Sequence, residues 1–346
     1  MTVRVATFGE IMMRLASPGP LRFGQTQSLE LTYGGGEANV AAALAQWGLD
    51  VRYLTRLPDN PFGRACRDRL RSVGIDTSFV AWGGKRLGIY FLETGFAQRP
   101  SVVVYDRADS AFATVSLGEI DFAAVLDGVS HFHFTGISPA VSDAAAAVTA
   151  QAVEAAKKAG AAVSCDLNYR GKLWSRDKAR AVMTPLMRHV DLLIANESDA
   201  ADVFGIQAEG TDITRGKVSI EGYRHVAQKL ASAFGFKQVA ITLRESLSAT
   251  HNRWSALLLD AAGGADKFHH SRTYDILPIV DRVGGGDSFA AGLIYGLATG
   301  QSPGEALEFA VAASCLKHSI AGDWALITLD EVKRLLAGDA SGRVKR

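Results

Sequence analysis

The sequence has 346 residues, in which 37 lysines and arginines nearly balance 36 aspartates and glutamates to give a formal net charge of +1. A chain of this length accommodates two average domains or one large α/β domain. The balanced charge argues against nucleic-acid binding as the main activity, because such binding requires a clustered basic surface. With 48% hydrophobic residues, the chain can bury a sizeable core and is too apolar to be disordered.

The three cysteines, Cys66, Cys165 and Cys315, lie far apart and lack the C-x-x-C spacing. Their number and spacing exclude a disulfide framework and a cysteine zinc site, so we expect buried thiols in a reducing compartment. No apolar run approaches the roughly 18 residues of a membrane span, and the first residues have a strand pattern rather than that of a signal peptide. We therefore expect a cytoplasmic protein with neither a membrane nor a nucleic acid as its partner.

Short apolar segments alternate with helical ones along the chain, which is typical of a mostly parallel sheet covered by helices on both faces. The predicted strands are residues 2–8, 51–56, 131–134, 161–165, 191–194 and 237–242. The predicted helices are residues 37–47, 61–73, 141–159, 178–188, 197–204, 221–234, 287–299, 303–317 and 330–337. The polar tail, residues 338–346, is expected to be flexible.

Two segments, residues 12–33 and 84–108, interrupt this alternation with extended, half-exposed patterns. They form either a pair of surface hairpins or a small sheet that covers the carboxyl ends of the main strands. The motifs described next favour this second possibility, a β lid. The main α/β domain is then expected to comprise residues 1–11, 34–83 and 109–337.

Two glycine clusters each lead directly into a predicted helix. Gly284, Gly285 and Gly286 precede Asp287, and such glycines leave the backbone N–H groups at a helix N-terminus open to a phosphate or another anion. Asp287 alone would be interpreted as an N-cap. Three consecutive glycines exceed what a cap requires, because each one raises the entropic cost of folding.

The second cluster, Gly34, Gly35 and Gly36, is followed by Asn39 in the first turn of a helix. An asparagine amide offers both a donor and an acceptor to a hydroxylated ligand. Neither cluster is a Walker A loop or a G-x-G-x-x-G fingerprint. His131 and His133, on one face of a strand without carboxylate or thiol neighbours at ligand spacing, are interpreted as structural histidines with satisfied hydrogen bonds.

These motifs resemble those of a known enzyme family. Residues 281–289 resemble the D-T-x-G-A-G-D-x-F signature of the ribokinase-like (PfkB) sugar kinases, and the glycines at 34–36 with Asn39 resemble the N-terminal signature of that family. The similarity extends from about Arg4 to Val332, and it is strongest to 2-keto-3-deoxygluconate kinases through residues 105–111, 133–139, 166–174 and 322–323. The resemblance implies a three-layer α/β/α fold with a mostly parallel central sheet and a small β-strand lid.

The resemblance also implies the chemistry: transfer of the γ-phosphate of ATP to the terminal hydroxyl of a sugar acid. Asp287 would be the catalytic base, and the amides of Gly284, Gly285 and Gly286 would form the anion hole. An aspartate at a helix N-terminus is expected to have a lowered pKa, which phosphoryl transfer tolerates because it depends chiefly on positioning.

An acid substrate requires cationic donors for its carboxylate, and arginine provides a planar fork for this purpose. The substrate-binding residues implied by the resemblance are Gly34, Gly35, Gly36, Asn39, Tyr90, Tyr105, Arg107, Arg170 and Asp323.

The resemblance implies further residues for the nucleotide and for metal ions. The nucleotide-binding residues would be Asn168, Thr242, Arg244 and Glu245, although Arg244 stands where the family has a glycine. Asn196, Glu197 and Asp199 would organise Mg²⁺, with an aspartate at 199 where a glutamate is usual. Asp281 would shape a loop for a monovalent cation such as K⁺, or would be a simple turn residue.

Two alternatives remain open at the level of sequence. The same chemistry on a neutral sugar would make the protein a fructokinase or ribokinase, and loss of catalysis would leave a sugar-binding protein of the same fold. Exposed strands in the lid predict a homodimer formed through it.

Overall fold

The central sheet contains nine strands. We describe it from a computed structural model, which covers residues 3–196, 198–207, 220–264, 266–339 and 342. The strands of this sheet are β1 (Arg4–Phe8), β4 (Asp50–Leu54), β9 (His131–Thr135), β10 (Ala162–Asp166), β11 (Leu192–Ala195), β12 (Gln238–Ser248), β13 (His251–Asp260), β14 (Lys267–His270) and β15 (Tyr274–Ile276). Their order is β14-β13-β12-β11-β10-β9-β1-β4, with β15 paired to β13.

Six neighbouring strands of this sheet are parallel, so their carboxyl ends meet at one edge. They are β4, β1, β9, β10, β11 and β12. All six predicted strands are confirmed. The sequence missed β13, β14 and β15, which are antiparallel to their neighbours. They escaped prediction because β12 continues to Ser248 and turns directly into β13, without the intervening helix that marks the other strands.

Helices cover both faces of the central sheet. They are α1 (Gly36–Gln46), α2 (Pro61–Arg71), α3 (Phe122–Val125), α4 (Ile137–Ala140), α5 (Asp143–Lys158), α6 (Arg176–Met187), α7 (Asp199–Phe204), α8 (Ile220–Phe234), α9 (Gly285–Ala298), α10 (Pro303–Lys317) and α11 (Leu329–Leu336). All nine predicted helices are confirmed with small shifts at their ends, and the short α3 and α4 were missed. Among the described residues, no helix has the length and apolarity needed to cross a membrane.

Two separate hydrophobic cores lie on the two faces of the sheet. Consecutive residues of β1 point into different cores: Val5 packs with Leu44 of α1 and Leu293 of α9, whereas Ala6 belongs to the core that contains Val153 of α5. A strand that is buried on both faces is typical of a parallel sheet between two helical layers. The predicted three-layer α/β/α fold is therefore confirmed.

A second sheet of four strands stands apart from the central one. Its strands are β2 (Met12–Ala16), β3 (Glu30–Gly34), β7 (Gly88–Glu93) and β8 (Val102–Asp106), in the order β3-β2-β7-β8. Two antiparallel hairpins are joined by the parallel pair β2–β7. The two irregular segments thus form one small sheet rather than separate surface hairpins. Another short pair consists of β5 (Arg56–Leu57) and β6 (Ala81–Trp82).

His131 and His133 lie inside the central sheet and share one partner. Their ring nitrogens lie 2.9 and 2.8 Å from Ser164 Oγ on the neighbouring strand. Burial lowers the pKa of His131 to about 4 and that of His133 to about 3. Both are structural, as predicted, but the expected full satisfaction is wrong for His133, since its Nε2 has no hydrogen-bond partner among the described residues.

Candidate active site

A cavity of about 1060 Å³ lies at the carboxyl edge of the parallel strands, where the small sheet faces the N-termini of α1 and α9. It gathers most of the residues selected from the sequence, although these are spread over nearly the whole chain. The selected residues in its wall are Gly34, Gly35, Gly36, Asn39, Tyr90, Tyr105, Arg107, Asn168, Arg170, Asn196, Thr242, Arg244, Gly284, Gly286, Asp287 and Asp323.

The remaining selected residues that the structure describes lie outside the cavity wall, and Glu245 is one of them. Thr242 and Arg244 face the cavity from one side of β12, and Glu245 faces the opposite side because strand side chains alternate. Glu245 instead pairs with Arg253 on β13, with Oε2 3.3 Å from Nη1. The structure therefore does not bring Glu245 to the nucleotide position expected for it. Gly285, Asp199 and Asp281 are buried beside the cavity, and Glu197 lies outside the described residues.

The start of α9 shows why its three glycines differ. Gly284 is the N-cap, with a left-handed φ of 82°, and a Cβ at this position would lie 2.0 Å from the backbone oxygen of Asp323. A Cβ on Gly285 would meet the His318 ring at 2.8 Å. A Cβ on Gly286 would meet nothing within 4 Å. The first two glycines are required by packing and conformation, whereas Gly286 faces open space and lines the cavity.

Asp287, in the first turn of α9, is connected to the other glycine cluster. Asn39 Nδ2 donates a hydrogen bond of 2.6 Å to Asp287 Oδ2, so the first turns of α1 and α9 meet at this carboxylate. A Cβ on Gly36 would lie 3.7 Å from Asp287 Oδ1. The absence of a side chain at Gly36 therefore leaves room beside the carboxylate.

The expected direction of the Asp287 pKa shift is wrong. Burial raises the pKa of this carboxyl to about 6, and the charge of Asp323 acts in the same direction. The Asn39 hydrogen bond and the charges of Arg170 and Lys317 oppose the shift without cancelling it. Removal from water thus outweighs the helix N-terminus, because an ionised carboxylate is costly to bury.

One cross-strand row of the small sheet faces the cavity. Arg14 of β2 is opposite Tyr90 of β7, which in turn is opposite Tyr105 of β8. The two tyrosine rings lie 6.0 Å apart between centroids, and the Tyr90 hydroxyl lies 2.6 Å from both carboxylate oxygens of Asp323. The register therefore places the two predicted tyrosines side by side, and the Tyr90 hydroxyl is hydrogen-bonded to Asp323.

Arg14 was missed from the sequence, although a lone arginine in a buried strand is an unusual residue. Its guanidinium donates to Asp323 Oδ1 at 2.8 Å and to Asp281 Oδ2 at 2.6 Å, and all three side chains are buried. Asp323 and Asp281 thus share one cation. Asp323 lines the cavity, but both of its carboxylate oxygens already accept hydrogen bonds from side chains of the protein.

Arg107 has a buried partner that the sequence did not reveal. Its Nε donates to Glu10 Oε2 at 2.8 Å, its Nη2 contacts the same oxygen, and Ser110 Oγ contacts Glu10 Oε1. Glu10 neutralises the charge that we expected Arg107 to offer to a substrate carboxylate. Arg170, by contrast, is exposed at the cavity and donates to a backbone oxygen, that of Tyr169.

Acidic groups follow the ends of β10 and β11. Burial and then the charges of Asp199 and Asp287 raise the pKa of Asp166, and Arg170 acts against this shift. Asp199 accepts hydrogen bonds from the backbone N–H groups of Tyr169 and Asn196 at 3.2 and 3.0 Å. A carboxyl whose pKa is raised by neighbouring carboxylates suits a divalent cation, which would relieve the repulsion. No group of three or more metal-ligating side chains occurs in the part of the chain that the structure describes.

Glu37 was also missed, although it stands inside the first glycine motif. It is buried at the start of α1, where Oε1 accepts hydrogen bonds from the Thr135 amide and hydroxyl and from Ser138 Oγ. Burial raises the pKa of Glu37 to about 7 against these hydrogen bonds. It ties α1 to the end of β9 and so holds Asn39 in place.

Comparisons with known proteins identify the family of the chain. A model of the pfkB family of carbohydrate kinases matches residues 3–323. The chain belongs to the PfkB family. It is 34% identical to a 2-dehydro-3-deoxygalactonokinase of Haloferax volcanii, over 99% of each chain. The kinase class expected from the sequence, with an alcohol group as the phosphate acceptor, is thereby confirmed.

Solved structures give the same result for this PfkB kinase. The structure of 2-dehydro-3-deoxygluconokinase from Thermotoga maritima superposes with a TM-score of 0.92 at 48% identity, covering 97% of this chain and 100% of that one. A ribokinase II from E. coli, described as putative and solved with ATP and Mg²⁺, has a TM-score of 0.77 at 18% identity, covering 97% and 99%. The second likeness shows the shared fold alone.

Proposed function

We propose that this PfkB kinase transfers the γ-phosphate of ATP to the terminal hydroxyl of 2-keto-3-deoxygluconate, giving the 6-phosphate. The observation that carries the proposal is the joint presence, in one cavity, of Asp287, the open glycine turn and the exposed cation Arg170. The names of the relatives support a deoxyketo sugar acid and include both the gluconate and the galactonate forms.

Asp287 is placed to act as the base. The hydroxyl oxygen of the sugar forms a bond to the γ-phosphorus, the bond from that phosphorus to the bridging oxygen breaks, and ADP leaves while the hydroxyl proton passes to Asp287. A pKa of about 6 keeps the carboxylate largely ionised at neutral pH and close to the value preferred for a general base. Asn39 fixes the carboxylate through Oδ2.

The glycine turn supplies electrostatic stabilisation for the transferred phosphoryl group. The N–H groups at the start of α9 remain without intrahelical partners, and the helix dipole favours negative charge there. Because Gly286 has no side chain and faces open space, an anion can approach the backbone closely. This is the arrangement that an anion hole requires.

The residues at the ends of β10 and β11 fit a magnesium ion that accompanies ATP. Asp166, Asn196 and Asp199 would hold it through water, since Mg²⁺ usually keeps several water ligands and the oxygens of these side chains already accept hydrogen bonds within the protein. When bound, this ion neutralises charge on the phosphates.

Two arginines suit the phosphates of the nucleotide. Arg244 lines the cavity from β12, and Arg282 lines it from the loop before α9. Burial lowers the pKa of Arg282, and the charge of Arg244 acts in the same direction, as expected for two cations that line one cavity. A polyphosphate between them would relieve this repulsion, so Arg244 contributes to ATP binding in place of the family glycine.

A substrate panel tests the proposal. Coupled ADP-release assays would compare 2-keto-3-deoxygluconate, 2-keto-3-deoxygalactonate, fructose and ribose. We expect Arg170→Ala to lower kcat/KM for the acids by about 10–100-fold, since charge-assisted bonds contribute about 1.5–3 kcal/mol, and to spare neutral sugars. Arg176→Ala is the matched control, because Arg176 is an exposed arginine of α6 outside the cavity.

A preference for fructose or ribose in the parent would replace the sugar-acid assignment with that of a neutral-sugar kinase. An equal loss for acids and neutral sugars in Arg170→Ala would remove the carboxylate role of this arginine. The chemical step is tested separately by Asp287→Asn, which we expect to lower kcat by about a thousandfold while ATP binding persists. Undiminished turnover by Asp287→Asn would exclude Asp287 as the base.

The homodimer and the division into a main domain and a lid remain predictions. By the strand register, the face opposite Tyr90 carries an apolar row: Leu31, Leu15, Phe91 and Val104. Leu15 packs against a main core and Val104 is also part of the cavity wall. At the two ends of this row, Leu31 and Val104 are 47% and 51% exposed, which favours pairing with a second small sheet. In size-exclusion chromatography we expect the parent to elute as a dimer and Leu31→Lys/Val104→Lys as a monomer, with Leu117→Lys as the exposed control. A parent that is monomeric at all concentrations would contradict this prediction.

A further inference from the structure

Lys317, the last residue of α10, is a fully buried cation that the mechanism above does not use. Its ammonium group donates to the backbone oxygens of Ile320 at 3.0 Å and Asp281 at 3.4 Å. A buried charge is stable only when nearby dipoles and counter-charges compensate it. Its partners therefore indicate what the charge does.

The compensation comes from the acids around the active site. Burial lowers the pKa of Lys317, and the charges of Asp281 and Asp323 act against this shift. Arg14 opposes them, and Asp287 again favours the charged ammonium. Contacts join most of these groups: Lys317 donates to the Asp281 backbone oxygen, and Arg14 pairs with both Asp281 and Asp323.

The oxygens of Asp281 do not fit a bound monovalent cation. Such an ion is held in proteins by carbonyl and carboxylate oxygens. Asp281 Oδ1 already accepts from the Val283 N–H at 3.0 Å, and Oδ2 accepts from Arg14 at 2.6 Å and from the Gly322 N–H at 3.0 Å. The backbone oxygen of Asp281 faces Lys317. Asp281, for which the sequence left open a K⁺ loop or a simple turn, therefore has its oxygens bonded to groups of the protein itself.

Lys317 lies directly behind the glycine turn. A Cβ on Gly284, the N-cap of α9, would lie 3.3 Å from Lys317 Cε. The charge of Lys317 also acts to lower the pKa of Asp287 in the first turn of the same helix. A fixed positive charge at this place adds to the helix dipole, which already favours an anion at the N-terminus of α9.

We propose that the Lys317 ammonium is a built-in cation that supports the anion site at the start of α9 and takes the place of a dissociable monovalent cation, so that this kinase does not require K⁺. Lys317 is a positioning residue, because it acts through the backbone of residues 281–284. The inference rests on the proposed kinase mechanism. It does not depend on which sugar is the substrate.

Rubidium binding gives a test that needs no turnover. Crystals of the parent and of Lys317→Ala would be grown with RbCl, and anomalous scattering would locate the ion. We expect no rubidium between the carbonyls of Asp281 and Ile320 in the parent. Lys317→Ala leaves these carbonyls without their donor, so we expect a rubidium peak there. A peak in the parent, or none in a well-ordered variant, would overturn the proposal.

Thermal unfolding and kinetics provide the second readout. The parent is expected to have the same Tm and kcat in KCl as in tetramethylammonium chloride at equal ionic strength. Lys317→Ala is expected to lose about tenfold or more in kcat without K⁺ and to regain Tm and activity when K⁺ is added. Parent activity that depends on K⁺ would overturn the proposal.

Two further variants separate charge from packing. Lys317→Met keeps the apolar stem but fills the position, so its low activity is expected to resist rescue by K⁺. Lys178→Met, at an exposed lysine of α6 paired with Asp143, is the matched surface control and should behave as the parent does. Equal rescue of the Met and Ala variants by K⁺ would contradict a specific cation position. Since rubidium binding and Tm are measured without sugar, failure of the substrate assignment leaves this test intact.

Discussion

At the scale of single residues, burial controls the chemistry of Asp287. Its carboxyl lies between a hydrogen-bond donor, Asn39, and a low-dielectric surrounding that raises its pKa to about 6. As the proposed base, Asp287 must be ionised to accept a proton, so we expect activity above this pKa and its loss as the pH falls through it. We therefore expect the neighbours of the carboxylate to determine the pH range of activity.

Asn39→Ala tests this control. The hydrogen bond from Asn39 lowers the pKa of Asp287, so its removal should raise that pKa. We expect the acid limb of kcat/KM, near pH 6 in the parent, to move to higher pH in the variant. Steady-state kinetics between pH 5 and pH 8.5 would measure the limb. A limb that stays in place while kcat falls would mean that Asn39 acts on geometry alone.

Arg107 shows that a residue with an expected ligand role can have a structural one as well. The ion pair with Glu10 is almost fully buried, at 10% and 2% side-chain exposure. Removal of one partner from a buried pair leaves an uncompensated charge, which typically costs about 3–5 kcal/mol. We expect Arg107→Ala to lose stability of this order in urea unfolding, and Glu10→Gln/Arg107→Met to recover most of it.

A substrate assay of Arg107→Ala alone would thus confuse folding with recognition. The double variant separates the two effects. If the double variant is stable but has a lower kcat/KM than the parent for sugar acids and not for neutral sugars, Arg107 recognises the substrate carboxylate. If Arg107→Ala unfolds at the same urea concentration as the parent, the buried pair is not structural.

At the scale of elements, the start of α9 combines a rigid turn with an open backbone. Gly284 has a conformation and a neighbour that exclude a side chain, whereas Gly286 has neither. A glycine is therefore needed at 284 and at 286 for different physical reasons. A sequence motif cannot separate them, because the distinction depends on Asp323, which follows Gly284 by 39 positions in the chain.

Gly284→Ala and Gly286→Ala form a matched pair of variants. We expect Gly284→Ala to lower the free energy of unfolding by about 1–2 kcal/mol or more, from the left-handed φ and the clash with the Asp323 backbone. Gly286→Ala should keep the parent Tm but weaken ATP use, because its methyl group would enter the open space where the phosphate is proposed to bind. Thermal melts with ADP-release kinetics measure both. Equal melting temperatures for the two variants would contradict the assignment of Gly284.

At the scale of the whole molecule, buried histidines link the stability of the fold to pH. His318 packs against Trp254 and bonds to the Ser314 carbonyl, and burial lowers its pKa to about 4 from a usual value of 6.5. The unfolded chain binds a proton at this histidine below pH 6.5, and the folded chain does not until about pH 4. This stability is therefore complete above pH 6.5 and is lost as the pH falls from 6.5 toward 4.

His318→Gln should remove this dependence. Between pH 8 and pH 5, we expect the free energy of unfolding to fall by about 2 kcal/mol more in the parent than in the variant. Buried carboxyls such as Glu37, with its raised pKa, change the stability in the opposite sense. The free energy of unfolding of the variant therefore still depends on pH, and it must be compared with that of the parent at each pH. Urea unfolding from pH 8 to pH 5 measures the two slopes. If the free energies of unfolding of parent and variant change with pH in parallel, His318 has the same pKa in the folded and unfolded states.

The sequence alone determined the family, the kinase class, six parallel strands, nine helices and sixteen of the residues that line the cavity. These follow from local patterns: apolar alternation, glycines before helices and two short motifs. The tertiary structure alone decided the partners and charges of those residues. Glu10 lies 97 positions from Arg107, and Arg14 lies 267 and 309 positions from Asp281 and Asp323. Such pairings, and the burial that raises the pKa of Asp287, depend on how distant segments pack, which no local pattern of residues contains.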